Sequence, residues 1–203
     1  MWIKYCGFTR REDLSVAADL GIDAAGFIFY EKSKRFVTPE KVREISAGIT
    51  SVMKVGIFVD KDPSAVNSMA ETADLDMIQL FADEAGDNSA YILPVLRVYR
   101  IATVGDLKKI PDREHPFLLD AFSRKGLGGT GESFDWSLLS SFHRIKSAII
   151  AGGVTIENAG KLMILSPYGI DISSSIEDVP GIKSHDKMRS LFEIIKSGTG
   201  QDN

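Results

Sequence analysis

Residues 147–155, Ser-Ala-Ile-Ile-Ala-Gly-Gly-Val-Thr, contain an apolar run that is followed by a pair of glycines. The same arrangement occurs twice more in the last third of the chain. An apolar run at 115–120 precedes Gly126-Leu-Gly-Gly-Thr-Gly131, and one at 168–172 precedes three serines at 173–175. Glycines let a backbone turn tightly and bring its N–H groups close to a ligand, and a helix that starts there adds positive potential. Each cluster alone is typical of an ordinary loop, but three in succession predict one phosphate held by several backbone amides.

Apolar runs of strand length recur along the chain and alternate with segments of helical spacing. Several runs are rich in Ile, Val or Phe without strict alternation, as in strands that are covered on both faces. Thr38-Pro39, Asp62-Pro63 and Thr155 indicate helix starts, and Gly21 indicates a helix end. The eight candidate strands are 2–5, 25–29, 51–59, 77–80, 95–100, 117–119, 147–151 and 169–172.

The mean spacing of roughly 25 residues per unit predicts a single α/β domain, a (β/α)8 barrel over residues 1–203. The last few residues, 197–203, are expected to form a flexible tail. An open doubly wound sheet also alternates strands and helices, but its glycine-rich phosphate loop usually follows the first strand. That position reads Cys6-Gly7-Phe8-Thr9 here. The glycine-rich and serine-rich clusters in the last third of the chain favour the barrel, because the loops after strands seven and eight of a barrel commonly bind phosphate.

The composition argues against several classes of function. The chain has 203 residues, a net charge of −4 and scattered basic residues, which gives no support for a nucleic-acid surface. One cysteine allows no intramolecular disulfide, and no apolar run has the length of a signal peptide or a membrane span. No set of His, Cys, Asp or Glu has metal-ligand spacing, and no nucleotide fingerprint occurs. We therefore expect a cytoplasmic enzyme without metal or cofactor that acts on a small molecule as a monomer or homodimer.

Two side chains that could move protons stand at the ends of predicted strands. Cys6 closes the first run and Asp120 the sixth, and the C-terminal ends of barrel strands build the active site. The alternatives are a small buried hydrophobe for Cys6 and a loop cap for Asp120. The three histidines, His115, His143 and His185, fall at strand starts or in helices, so proton abstraction is favoured over acyl transfer. As an acid, Asp120 needs burial or a nearby negative charge to raise its pKa.

Three further charged residues are expected near the same end of the barrel. Arg35 lies in the loop after the second strand and can reach over the mouth to pair bidentately with a carboxylate. Lys4 lies within the first strand and can point into the barrel to supply positive charge. Asp171 ends the last strand, where it is expected to bind substrate or to orient the serine loop that follows.

Motifs along essentially the whole chain, in the same order, resemble the phosphoribosylanthranilate isomerase family. The most specific are Lys-x-Cys-Gly-x-Thr at 4–9, Gly-Gly-Thr-Gly-x-x-Phe-Asp-Trp at 128–136 and Pro-Gly-x-Lys-x-His at 180–185. The resemblance implies a (β/α)8 barrel and an isomerase of tryptophan biosynthesis. It implies an Amadori rearrangement of N-(5′-phosphoribosyl)anthranilate to 1-(2-carboxyphenylamino)-1-deoxyribulose 5-phosphate.

The resemblance also implies roles for individual residues. Asp120 matches the general acid that protonates the furanose ring oxygen, and Cys6 matches the general base that removes the proton from C2′. Arg35 matches the arginine that meets the anthranilate carboxylate. The residues that fall within the phosphate-binding turns are Gly129, Gly131, Gly153, Ser173 and Ser174.

The chain departs from the family pattern at the fourth strand. Gln79-Leu80-Phe81-Ala82 stands where Gln-Leu-His-Gly is common, and Tyr5 and Ser175 are further departures. One alternative is therefore a phosphosugar-binding barrel that has lost catalysis and acts as a regulatory or structural subunit; the retained Cys6 and Asp120 argue against it. Another is an isomerase for an aminoimidazole ribotide, but those barrels typically use paired aspartates, so Cys6 disfavours it.

Overall fold

A computed structural model describes residues 1–81, 87–112, 115–121, 136–140 and 142–199 of the chain. Eight parallel strands close into a barrel in sequence order, and the last strand pairs with the first. This confirms the predicted (β/α)8 barrel. The strands are β1 (Trp2–Cys6), β2 (Ala24–Ile28), β3 (Met53–Phe58), β4 (Met77–Phe81), β5 (Val95–Ile101), β6 (Phe117–Ala121), β7 (Ala148–Ile150) and β8 (Gly169–Ile172).

Six α-helices, three short 3₁₀ helices and one small hairpin complete the regular secondary structure of the described residues. Thr38 and Asp62 begin the second and third helices, because each side-chain oxygen accepts a hydrogen bond from the backbone N–H three residues on. Gly21 ends the first helix with a φ of 80°, a conformation that suits glycine. The helices are α1 (Arg11–Leu20), α2 (Pro39–Ser46), α3 (Pro63–Ala73), α4 (Val104–Leu107), α5 (Ala159–Met163) and α6 (His185–Thr199), and the hairpin pairs β9 (Glu177–Val179) with β10 (Ile182–Lys183).

The structure differs from the sequence prediction at two helix ends. The helix expected to start at Thr155 begins only at Ala159, because Asn158 closes a turn by bonding Thr155 N and the Gly153 carbonyl, each at 2.7 Å. Residues 197–199, which the sequence places in a tail, form the last turn of α6. Gly198 permits this turn to pack closely, since a Cβ there would lie 2.9 Å from Met163 Cγ. Residues 200–203 lie outside the described residues.

The core has two layers, one inside the barrel and a larger one between the strands and the helices. The interior is packed by a small apolar cluster of Leu96, Val98, Leu118, Ile149 and Ala151. Side chains of the opposite strand face, such as Ile3 and Tyr5, pack under the helices. Because side chains alternate between the two faces of a strand, Lys4, Cys6 and Asp171 point toward the inside of the barrel and its C-terminal mouth.

None of the helices in the described ranges is long and apolar enough to cross a membrane.

Candidate active site

An open cleft lies at the C-terminal ends of the strands. It gathers every predicted site residue that falls in the described part of the chain. Gly129 and Gly131 lie outside the described residues. The predicted residues that line the cleft are Cys6, Arg35, Asp120, Gly153, Asp171, Ser173 and Ser174. Sequence reasoning thus found side chains that are far apart in the chain and close together in the fold.

Cys6 occupies the end of β1 and is 6% exposed. It faces Gly26 on β2, where a Cβ would lie only 2.7 Å from the Cys6 sulfur, so glycine makes room for the thiol. Burial raises the pKa of the Cys6 thiol and Asp171 adds to the effect, whereas the positive charges of Lys4 and Lys183 oppose it. Sequence reasoning missed Gly26, although a glycine inside a strand can signal a close approach.

Lys4 is fully buried inside the barrel and pairs with Asp171 across the β1–β8 seam. The Lys4 Nζ donates to Asp171 Oδ2 at 2.9 Å. Burial alone would lower the pKa of Lys4, but the charges and hydrogen bonds of Asp171 and Cys6 raise it overall. Lys4 therefore keeps a positive charge beside the thiol, as the sequence predicts. The other oxygen of Asp171, Oδ1, is buried without a hydrogen-bond partner among the described residues.

Asp120 ends β6 on the far side of the cleft and is 8% exposed. Burial and the negative charge of Asp171 raise its pKa to about 6, although Lys4, Arg100 and a hydrogen bond from Ala121 N act in the opposite direction. This meets the requirement for a general acid near neutral pH, because an appreciable part of the carboxyl keeps its proton.

Arg35 crosses the mouth of the barrel and is held by a residue that sequence reasoning missed. Its Nε and Nη2 donate to both carboxylate oxygens of Glu177, the shortest of these bonds being 2.7 Å. The predicted bidentate pairing therefore occurs with a carboxylate of the protein itself. The remaining Nη1 carries no hydrogen bond among the described residues, so its two N–H groups and the second N–H of Nη2 are left for a ligand carboxylate.

The turns after β7 and β8 form the wall above the two candidate proton-transfer groups. Gly152 and Gly153 have φ values of 81° and 68°, which favour glycine. A Cβ on Gly152 would lie 2.8 Å from Ala121 N and 3.1 Å from Asp120 Oδ1, so this turn passes directly over the acid. After β8, Ser173 Oγ donates to the Cys6 carbonyl at 3.2 Å. Both turns lie close to the two candidate proton-transfer groups.

The opposite wall of the cleft is apolar and suits a flat ring. Phe81 at the end of β4 is partly exposed and lines the cleft in the place where the family pattern commonly has histidine. Gln79 also lines it, and its Oε1 is buried without a hydrogen-bond partner among the described residues. Other apolar residues that line the cleft include Ile28, Ile57, Val59 and Leu118.

Comparisons with known proteins agree with this geometry. Residues 3–194 match the model of the family described as N-(5′-phosphoribosyl)anthranilate (PRA) isomerase. An N-(5′-phosphoribosyl)anthranilate isomerase from Rubrobacter xylanophilus is 40% identical over 96% of this chain and 98% of its own. The crystal structure of phosphoribosyl anthranilate isomerase from Thermus thermophilus is 32% identical, with a TM-score of 0.86 over 97% of this chain and 99% of the other. A structure of phosphoribosyl anthranilate isomerase in complex with reduced 1-(o-carboxyphenylamino)-1-deoxyribulose 5-phosphate is 31% identical and superposes with a TM-score of 0.85, over 97% of this chain and 99% of that one.

Proposed function

The chain belongs to the N-(5′-phosphoribosyl)anthranilate isomerase family, and we propose that it isomerises N-(5′-phosphoribosyl)anthranilate in tryptophan biosynthesis with Asp120 and Cys6 as acid and base. One observation carries the assignment of these roles. A carboxyl group with a pKa raised to about 6 and a thiol beside a buried lysine open into one cleft, under the turns of β7 and β8. Cytoplasmic conditions suit this chemistry, because a reducing compartment keeps a lone thiol free.

In the first step, Asp120 donates its proton to the furanose ring oxygen. The bond between that oxygen and C1′ breaks, its electrons stay on the oxygen, and the anthranilate nitrogen forms a Schiff base with C1′. The raised pKa of Asp120 supports this role, because only the protonated carboxyl can donate.

In the second step, the Cys6 thiolate removes the proton from C2′. The electrons of that C–H bond form a C1′–C2′ double bond while those of the C1′–N double bond move onto the nitrogen, which gives an enolamine. The enolamine becomes the ketone when its 2′-hydroxyl loses a proton and C1′ gains one. Burial disfavours the thiolate, so the nearby charges of Lys4 and Lys183 are needed to stabilise it.

The rest of the cleft binds the substrate in this proposal. Gly153, Ser173 and Ser174 hold the phosphate, together with Gly129 and Gly131 of the preceding turn. Arg35 meets the anthranilate carboxylate through Nη1, because Glu177 holds its other nitrogens. Asp171 Oδ1, which has no hydrogen-bond partner within the described ranges, is available to a ribose hydroxyl.

The proposal is tested by incubating the purified protein with freshly prepared phosphoribosylanthranilate and following its anthranilate-type fluorescence. We expect the fluorescence to fall at a rate proportional to protein concentration. A protein that binds the substrate without consuming it would instead support the degenerate binder.

Phe81 gives the sharpest test between these two functions. Phenylalanine cannot transfer a proton, but it can stack on the anthranilate ring, which contributes about 0.5–1.5 kcal/mol for aromatic pairs. Since Asp120 and Cys6 already fill the acid and base roles, we expect Phe81→His to change kcat/KM by less than about tenfold. Steady-state kinetics of the two proteins measure this ratio. Activity in Phe81→His with none in the parent would favour the degenerate binder.

A further inference from the structure

The hairpin of β9 and β10 carries a buried ion pair beside the cleft. Its register places Lys183 opposite Glu177, with Nζ 3.0 Å from Oε1, and their side chains are 0% and 4% exposed. Gly181 in the connecting turn has a φ of 89°, and its N–H donates to the same Oε1 at 3.2 Å. The turn thus brings Glu177 and Lys183 together, because glycine readily adopts the positive φ that the turn requires.

The ammonium of Lys183 connects the ends of two barrel strands. An ammonium has three N–H donors, and those not used on Glu177 go to the carbonyls of Cys6 and Ser173, the latter at 3.2 Å. Cys6 ends β1, and Ser173 follows β8 directly. The Cys6 carbonyl also accepts from Ser173 Oγ at 3.2 Å. One buried charge therefore fixes the backbone under the thiol and the backbone of the serine turn.

Glu177 extends the same network to Arg35. The carboxylate bonds Lys183 on one side and the Arg35 guanidinium on the other. Arg35 lies against the end of β1 because Gly7 is a glycine, since a Cβ there would be 2.6 Å from Arg35 Cδ. Burial opposes ionisation of Glu177, but these two cations lower its pKa overall. A buried charge with two opposite partners is expensive to disrupt and rigid when intact.

We propose that Lys183, held by Glu177, is a positioning residue that couples the Cys6 base to the phosphate turn at Ser173. This inference rests on the proposed function, and it extends that function to residues that do not touch the reacting atoms. The proposal also includes an electrostatic effect, because the positive charge of Lys183 acts on the thiol together with the charges of Lys4 and Asp171. Burial lowers the pKa of Lys183, whereas the nearby Glu177 opposes this and favours the charged ammonium.

The first test is the reactivity of the thiol, which needs no substrate. Cys6 is the only cysteine in the chain, so its alkylation by iodoacetamide can be followed across pH by mass spectrometry. Removing the Lys183 charge with Lys183→Met raises the thiol pKa, and we expect the alkylation midpoint to move up by about one pH unit. In the Lys183→Met variant, Lys4 still lowers the pKa of Cys6 and Asp171 still raises it.

The second test is the affinity for inorganic phosphate, measured by the rise in Tm as phosphate is added. We expect Lys183→Met to need about 10- to 100-fold more phosphate for the same rise, because the Ser173 turn loses a charged hydrogen bond. The substitution is also expected to lower kcat, whereas Glu177→Gln, which mainly frees Arg35, is expected to raise KM. Glu177→Gln serves as the second variant if Lys183→Met does not fold.

Lys187→Met is the matched control, because among the described residues its ammonium bonds the Glu177 carbonyl and the exposed Asp178 carboxylate, and neither Cys6 nor Ser173. We expect it to keep the parental alkylation midpoint and phosphate titration. A folded Lys183→Met protein with a lower Tm, but with both readouts unchanged, would show a purely structural residue and overturn the proposal. A parent without isomerase activity would instead contradict the proposed function, and the alkylation and phosphate tests would still decide the coupling.

Discussion

At the scale of single residues, the site places a carboxyl group where its charge is unfavourable. Asp120 lies in the barrel mouth with Asp171 nearby, and its pKa of about 6 exceeds the ordinary value of 3.8. The protonated form therefore stabilises the folded protein at low pH, and this contribution is lost as the pH rises through 6. The same shift that suits an acid catalyst makes the folded protein less stable at neutral pH.

Replacing Asp120 should therefore stabilise the protein in a pH-dependent way. We expect Asp120→Asn to raise the free energy of unfolding by up to about 3 kcal/mol at pH 8, with little gain at pH 4. Urea unfolding at both pH values measures this. Asp106→Asn is the control, and we expect it to lower the free energy of unfolding at pH 8 rather than raise it. Lys109 and the Thr103 N–H help hold the Asp106 pKa at about 2, so the ionised carboxylate stabilises the folded protein. An equal effect of Asp120→Asn at both pH values would argue against the raised pKa.

The sequence predicts some of these residues and not others, for a physical reason. Cys6 and Asp120 can be found because a strand end is visible locally, and the fold brings all strand ends to one face. Glu177 and Lys183 bind groups more than a hundred residues away, Arg35 and Cys6, and no local pattern encodes those contacts. The only signal was the Pro-Gly-x-Lys ending at 180–183, which marks a turn followed by the lysine.

At the scale of elements, the turns matter more to the site than the helices. The apolar runs predict the strands because both faces of a barrel strand are buried. The start of α5 could not be predicted, because Asn158 is used to close the turn that begins at Gly153. The chain therefore forms a tight glycine turn over Asp120 before the helix begins.

Gly153 tests whether that turn binds phosphate. Gly153→Ala adds a methyl group at a φ of 68°, which should push a ligand away from the backbone N–H groups. We expect KM and the inhibition constant of inorganic phosphate to rise while kcat changes less. Gly160→Ala is the control, because a Cβ at this α5 position meets no atom within 4 Å. Unchanged phosphate inhibition in Gly153→Ala would make the turn merely structural.

At the scale of the whole molecule, the barrel closes through the same residues that serve the site. β1 pairs with β8 over four registered positions, and one of them joins Lys4 to Asp171. Their buried ion pair of 2.9 Å thus links the first strand of the barrel to the last. Removing one partner of a buried pair typically costs about 3–5 kcal/mol, because the other charge is left uncompensated.

We expect Lys4→Met to lower the free energy of unfolding by about 3 kcal/mol and Lys4→Met with Asp171→Asn to recover a large part of it. Urea unfolding of the two single variants and the double variant gives the coupling between the residues. Lys41→Met is the matched control, because it removes only an exposed pair with Glu44 and should cost less than about 1 kcal/mol. Strictly additive effects of the two substitutions would show that the pair does not help close the barrel.

The central claim is that Cys6 and Asp120 carry out the isomerisation. Its most direct test is to measure the turnover of phosphoribosylanthranilate by the parent, Cys6→Ala and Asp120→Asn, with phosphate-induced Tm shifts as evidence of an intact cleft. We expect an active parent and a loss of roughly 10²- to 10⁴-fold in kcat for each variant, with phosphate binding retained. Turnover close to the parental rate in either variant would contradict it and place the acid or the base elsewhere in the cleft.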